Sequence, residues 1–217
     1  MSELQIFDLD NTLLAGDSDR NWGIFLAEKN IVESSYLDES EKFYSNYYDG
    51  SLDIDGFLSF CLKPLVSNDM SKLLSLREQF IEEKIKPIIT KSGKEVISQA
   101  IENGKTVIIA TATNDFVTKP IADLFNVSTL IATEFEIKNN SFTGNIVDIP
   151  CFREGKLKKV ESWVKENNFD LSEATFYSDS FNDLPLLEKV KHPIIVDGDD
   201  KLKEIGNNNN WKCISFR

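Results

Sequence analysis

Leu4-Gln5-Ile6-Phe7-Asp8-Leu9-Asp10-Asn11-Thr12-Leu13-Leu14 is the stretch around which this 217-residue chain is organised. An apolar run of the kind that forms a buried strand leads straight into Asp8 and Asp10, with Thr12 two residues on. Residues i and i+2 of an extended chain point to the same side. The strand therefore ends by presenting two carboxylates together, and their repulsion grows with burial. A chain tolerates that pair when a cation such as Mg²⁺ lies against it, or when one carboxyl keeps a proton for chemistry.

The bulk properties narrow the function. Hydrophobic residues at 41% and charged residues at 28% are ordinary for a globular protein. Against 24 basic residues stand 36 acidic ones, for a net charge of −12, so nucleic acid and anionic membrane are not expected partners. No apolar run approaches the ~20 residues of a membrane span. Asp8 arrives too early for a signal-peptide apolar region, so a cytoplasmic location is expected. Cys61, Cys151 and Cys213 are few and widely spaced, which fits reduced thiols rather than a disulfide framework or a zinc site. His192 is the only histidine and precedes Pro193. As a surface residue it leaves no Ser-His or Cys-His triad to consider.

Downstream, Trp22, Phe25 and Leu26 fall at i, i+3, i+4 behind Ser18, a candidate N-cap. Phe43, Tyr44, Tyr47 and Tyr48 form an aromatic stripe at helical spacing, expected as helix core, and Asp49-Gly50 ends it. Helical patterns follow around Ile54–Leu62 and Leu73–Ile85, up to Pro87. Residues 16–85 thus read as an all-helical insertion between residues 1–15 and 86–217. From Lys86 strands and helices alternate. A helix capped by Ser92 is closed by Asn103-Gly104; the strand Thr106–Ala110 ends in Thr111-Ala112-Thr113-Asn114, and Pro120 marks a kink or late start of the next helix. Further expected strands are Thr129–Ala132, Ala174–Ser178, Pro193–Val196 and Trp211–Ile214. A hairpin turns at Lys138-Asn139-Asn140-Ser141, and Asn207–Asn210 reads as a polar turn. The pattern is α/β: a Rossmann-like parallel sheet with helices on both faces.

Ligands bind such sheets at the carboxyl ends of strands, where four polar clusters fall: Asp8/Asp10/Thr12, Thr111/Thr113/Asn114, Lys156, and Asp179/Asn182/Asp183. Together they suit a phosphate ester. A carboxylate at Asp8 is a competent nucleophile toward phosphorus once Mg²⁺, held by Asp8 and Asp179, offsets the negative charge. Thr111 and Lys156 would hold phosphate oxygens, and Asp10 would protonate the leaving alkoxide and then activate water.

These residues, Asp8-Leu9-Asp10-Asn11-Thr12, Thr111, Lys156 and Asp179-Ser180-Phe181-Asn182-Asp183, resemble in order the four motifs of the haloacid dehalogenase (HAD) superfamily, and the insertion resembles its C1 cap. The cap and the Asp179-x-x-Asn182-Asp183 form resemble the IB branch of phosphoserine phosphatase-like and histidinol-phosphatase-like hydrolases. The resemblance implies a Mg²⁺-dependent hydrolase of a small phosphorylated metabolite, acting through an aspartyl-phosphate. It also implies that Asp10 ligates the metal through its backbone carbonyl and Asp179 through its side chain, that Asn182 and Thr12 serve the phosphate, and that Asp183 orients the metal shell or Lys156. Asp10 sets the chain apart from true dehalogenases, which lack that second carboxylate.

Asp17 stands where phosphoserine phosphatases carry an acidic residue for the substrate amine. Their cap arginine has no counterpart in Phe57–Lys63, where Lys63 offers a charge without a bidentate fork. Ala112-Thr113-Asn114 replaces their glycine pair, with Thr113 a candidate phosphate contact, and Arg153 is a candidate anchor for a substrate anion. Two other readings use the same residues: phosphoryl transfer to an acceptor other than water, and a phospho-aspartate signalling module.

Overall fold

A computed structural model describes residues 3–217. Strand β1 (Leu4–Phe7) is buried throughout. Its side chains alternate as the pleat requires: Leu4 and Ile6 join one core cluster and Phe7 the other, on opposite faces of the sheet. After β1 come four helices, α1 (Ser18–Glu28), α2 (Ser35–Asp49), α3 (Ile54–Val66) and α4 (Met70–Phe80). The last continues as a π-helical turn over Ile81–Ile85 and a 3₁₀ turn over Lys86–Ile88. Next are α5 (Lys91–Glu102), β2 (Thr106–Asn114), α6 (Asp115–Leu124) and β3 (Thr129–Thr133). A two-stranded hairpin, β4 (Phe135–Lys138) and β5 (Ser141–Ile146), precedes α7 (Glu154–Glu166). The chain ends with β6 (Thr175–Ser178), α8 (Leu184–Leu187), β7 (His192–Val196), α9 (Asp200–Asn209) and β8 (Lys212–Ile214).

Six strands form one parallel sheet in the order β3-β2-β1-β6-β7-β8. The order reverses direction between β1 and β6, which opens a crevice at their carboxyl ends. The expected parallel α/β sheet with a helical insertion after β1 is what the chain forms.

The insertion leaves and re-enters the sheet through two adjacent segments. Leu14 bridges Ile89, Ala15 N–H donates to Ile88 O, and Thr90 donates both its N–H and its hydroxyl to Leu13 O. That use of the Thr90 hydroxyl accompanies a shifted helix start: α5 begins at Lys91 with Thr90 at the cap position, not at Ser92. Asp17, rather than Ser18, caps α1, accepting from Arg20 N–H at 2.8 Å; Ser18 is the first helical residue and fully buried.

Strand β2 runs four residues past its expected end, because Asn114 pairs with Thr133 of β3 beyond an irregularity in the register. Pro120 lies inside α6. The carbonyl that a residue with an N–H there would engage, that of Phe116, accepts instead from Arg77 Nη1 at 2.8 Å. Asn139 and Asn140 both take positive φ, 50° and 60°, as a two-residue hairpin turn of type I′ requires. Residues 207–209 belong to α9 instead of a turn, and Asn210, at φ 57°, provides its left-handed cap. Cys61 and Cys151 are buried thiols, and Cys213 is exposed.

Candidate functional site

Parallel pairing of β1 with β2 and β6 brings three strand ends side by side. Asp8 and Asp10 follow β1, Thr111 and Thr113 lie at the end of β2, and Asp179 follows β6. Lys156 enters from the first turn of α7, which starts very close to the preceding loop: a Cβ on Gly155 would sit 2.0 Å from Pro150 O.

The centre of the arrangement is Lys156, 3% exposed. Its Nζ lies 2.9 Å from Asp8 Oδ1 and 2.6 Å from Asp183 Oδ1. Asp183 Oδ2 accepts from the Ser178 hydroxyl at 2.7 Å. Both oxygens of Asp183 are thus engaged, and it fixes the ammonium that faces Asp8. Burial pulls the Lys156 pKa down, but the negative charges of Asp183 and Asp8 outweigh it and hold the ammonium protonated well above its ordinary range.

Asp8 is pushed up to about 7, first by burial, which with the charges of Asp183 and Asp10 overrides the pull of Lys156. Asp10 is held differently. Its Oδ1 accepts from Ser18 N–H at 2.6 Å and its Oδ2 from the Thr113 hydroxyl at 2.8 Å, with the Thr111 hydroxyl at 3.4 Å. Burial still raises its pKa against those donors. Asp179 accepts from the Thr12 hydroxyl at 3.2 Å. Burial, then Asp8 and Asp183, raise it well above the carboxylate range.

A single ammonium thus serves several crowded carboxylates. This hard-oxygen, net-negative set fits a divalent cation between Asp8 and Asp179, and Mg²⁺ needs only one or two carboxylates beside phosphate and water. Among the described residues no three His, Cys or acidic side chains are gathered closely enough to hold a metal ion by themselves.

Other expected contacts are arranged otherwise. The hydroxyls of Thr12 and Thr113 are directed at carboxylates, on Asp179 and Asp10. Arg153, at φ 50° and ψ −120°, has its guanidinium engaged by the protein: Nε donates to Asn182 Oδ1 at 2.9 Å and Nη2 to Gly50 O at 2.7 Å. Asn182 Nδ2 donates to Tyr47 O at 3.3 Å. Lys63 pairs with Glu39 in solvent. Asp17 does line the cleft, with burial and then the charges of Asp10 and Asp19 raising its pKa well above the usual range.

Part of the aromatic stripe is the helix core expected of it: Tyr44 is 5% exposed, and Phe43 packs on the main apolar cluster against Phe57 and Phe60. The same face also borders the cleft. Phe43, Tyr44 and Tyr47 line the cleft together with Phe57 and Phe152, while Tyr48 is 57% exposed. Helical spacing gives the stripe a common face but does not say whether that face meets other side chains or a ligand. Sequence reading also missed Ser18 N–H and Ser178, whose roles depend on contacts that no local pattern encodes.

Known proteins resemble the chain over its whole length. The chain is 35% identical over 222 residues to a histidinol-phosphatase of Neisseria meningitidis serogroup C (strain 8013), covering 100% of both chains. A structure of a protein of unknown function from Bordetella pertussis Tohama I superposes with a TM-score of 0.92 at 34% identity, again over 100% of both chains. A substrate-bound phosphoserine phosphatase shares the fold, with a TM-score of 0.73 at 17% identity over 99% of this chain and 93% of that one. The model of the haloacid dehalogenase-like hydrolases matches residues 6–188, a span that begins in the strand before Asp8 and ends beyond Asp183, and by that match the chain belongs to this family.

Proposed function

We propose that the protein is a Mg²⁺-dependent phosphomonoester hydrolase acting on a small phosphorylated metabolite, phosphoserine-like or histidinol-phosphate-like, through a phosphorylated Asp8. The observation that carries the reading is the different environment of the two carboxylates: Asp8 faces a locked ammonium, and Asp10 is held by neutral donors.

An Asp8 oxygen attacks phosphorus, an Oδ–P bond forms and the ester O–P bond breaks. Asp10, whose raised pKa suits it to carry a proton, protonates the leaving alkoxide. Water then attacks the aspartyl-phosphate, Asp10 takes its proton, and phosphate leaves with Asp8 restored. Lys156 and the Thr111 hydroxyl neutralise and orient phosphate oxygens, and Asp183 positions Lys156. Asp8, Asp179 and the Asp10 backbone carbonyl would hold Mg²⁺, which when bound supplies charge neutralisation for the approaching dianion. Residues 16–85 act as the cap that encloses the substrate and excludes water.

The test is phosphate release from a panel of monoesters, including a chromogenic aryl phosphate, with and without Mg²⁺ and with Asp8→Asn. Mg²⁺-dependent release abolished in Asp8→Asn is the expected result. No release across the panel would overturn the reading. A stable acyl-phosphate in the wild-type protein would point to a signalling switch instead.

A further inference from the structure

The loop that carries Asp10 turns back on itself just after β1. Asn11 makes the turn at φ 57°, in the left-handed region that Asn enters more readily than most residues. Its N–H donates to Gly16 O at 2.9 Å, which fixes the plane of the peptide whose carbonyl belongs to Asp10. The carbonyl of the next peptide, Asn11 O, is held from outside the loop: Arg217 Nη2 donates to it at 2.8 Å across 206 residues of chain.

Arg217 is itself anchored. Its Nη1 lies 2.9 Å from Asp197 Oδ2, and the same oxygen accepts the Phe216 N–H at 3.0 Å. Asp197 follows β7 at φ 49°, and its own N–H donates to Ile214 O, at the end of β8, at 3.0 Å. Burial raises the Asp197 pKa, but donors on Ser215, Phe216 and Arg217 outweigh it and hold the carboxyl below its ordinary range. Phe216 is buried, and its ring stacks on Tyr177 at 6.3 Å. Tyr177 in turn stacks at 4.3 Å on Phe7, the residue before Asp8, and its carbonyl accepts the Asp8 N–H at 2.9 Å. The segment after β8 thus crosses past β7 and β6 to reach both sides of the carboxylate stretch, a ring behind Asp8 and a guanidinium beyond Asp10.

A guanidinium suits that place because its planar fork meets two acceptors at once in fixed directions, which an ammonium cannot do. Here the acceptors are the Asp197 carboxylate and a peptide carbonyl. We infer that Arg217 is a positioning residue for the reaction: it braces the peptide after Asn11, and with it the directions in which Asp10 and Thr12 present their groups to the cleft. Its effect on turnover rests on the phosphatase reading, whereas the brace itself is a property of the loop that can be read without substrate.

Arg217→Ala and Arg217→Lys, compared with the wild type as full chains, test the brace in two ways. Lys keeps the charge pair with Asp197 but lacks the fork. In hydrogen exchange read by mass spectrometry, the peptide covering residues 9–16 should exchange severalfold faster in both variants, while α7, which carries Lys156, exchanges as before. In turnover of an aryl phosphate with Mg²⁺, kcat should fall about tenfold in Arg217→Ala, a loss within reach of a misplaced reacting group, with KM little changed. Arg217→Lys should lie nearer to Arg217→Ala than to the wild type. The Arg217 side chain is 37% exposed, so free guanidinium ion at tens of millimolar should enter the gap left in Arg217→Ala and raise kcat severalfold, without activating the wild type. General destabilisation would instead speed exchange throughout the chain and give no rescue. That pattern, an unchanged exchange rate over residues 9–16, an unchanged kcat, or full activity in Arg217→Lys would each overturn the inference. A wild type that releases no phosphate from any ester would overturn the phosphatase reading, and the exchange comparison would still decide whether Arg217 holds the loop.

Discussion

Asp10 and Asp8 are two residues apart, yet their neighbours give them different chemistry. Asp8 pairs with an ammonium at 2.9 Å, whereas Asp10 receives a backbone N–H and a hydroxyl. Neutral donors fix the geometry of Asp10 without preventing it from taking a proton. Asp10→Asn keeps an oxygen for Ser18 N–H and keeps the backbone carbonyl, but it cannot exchange a proton with the leaving group. Turnover is expected to fall by about 10²–10⁴, the usual contribution of a positioned acid–base group, while Mg²⁺ affinity measured by calorimetry changes little. Parallel loss of turnover and Mg²⁺ binding would make the side chain a metal ligand. Asp8 and Asp10 were legible in the sequence because a strand carrying two carboxylates on one side needs a chemical reason. The donors that separate their roles were not. Thr113 lies 103 residues from Asp10 in the chain, and Ser18 acts through a backbone N–H that every non-proline residue has.

The carboxyl end of α2 is the clearest case of a function carried by an element. The last carbonyls of a helix lack intrahelical partners, and here the α/β core supplies them. Asn182 donates to Tyr47 O, Arg153 to Gly50 O, and Lys201 to Tyr48 O and Asp49 O at 3.3 and 3.0 Å. Two of these donors are cations, which the negative end of a helix favours. Gly50, at φ 90°, turns the chain there, and a Cβ at this position would come 3.3 Å from Arg153 Nη2. Arg153→Ala removes the bridge between α2 and Asn182. It is expected to raise KM severalfold to tenfold with a smaller change in kcat, and to speed amide exchange at the end of α2. An unchanged KM and exchange pattern would show that the bridge does not hold the insertion in place.

The other end of the insertion is knotted at Asp19, where Tyr44 of α2 and Cys61 of α3 both donate to one carboxylate oxygen of α1. Burial, against those two donors, lifts Asp19 to about 6. A carboxyl raised above its unfolded value of about 3.9 binds more protons when folded. Its stabilising contribution is complete below about pH 4 and lost as pH climbs through 6. The Tm of the wild type is therefore expected to fall relative to that of Asp19→Asn between pH 4 and 7, as read by thermal melts of both proteins. Parallel curves would mean that Asp19 titrates near its unfolded value. The helices at both sites were legible from apolar spacing, but their polar partners were not, because spacing specifies a face and not what meets it.

At the scale of the molecule, the insertion and the sheet look separable in sequence but share one apolar core. A single cluster runs from Phe7 and Ile109 in the sheet through Trp22 and Phe25 of α1 to Phe60 and Leu65 of α3 and Phe80 of α4. Trp22 packs edge-on against both Phe80 and Phe116, at 5.1 and 6.1 Å between ring centroids. The seam at Leu14 and Ile89 ties the two connecting segments together. Relative motion of the insertion is then limited to what the seam and the polar contacts of α2 permit, since larger opening would expose this cluster. Heating should accordingly unfold the insertion and the sheet in one cooperative transition, with calorimetric and van't Hoff enthalpies in agreement. A cation bound between Asp8 and Asp179 stabilises the folded state only, and at about 100 times its Kd contributes roughly 2.7 kcal/mol. For a chain of this size that is a rise in Tm on the order of 5–10 °C, and Asp179→Asn should abolish most of it. Two resolved transitions, with only one shifted by Mg²⁺, would instead show that the helical segment melts apart from the sheet and that the shared cluster does not couple them.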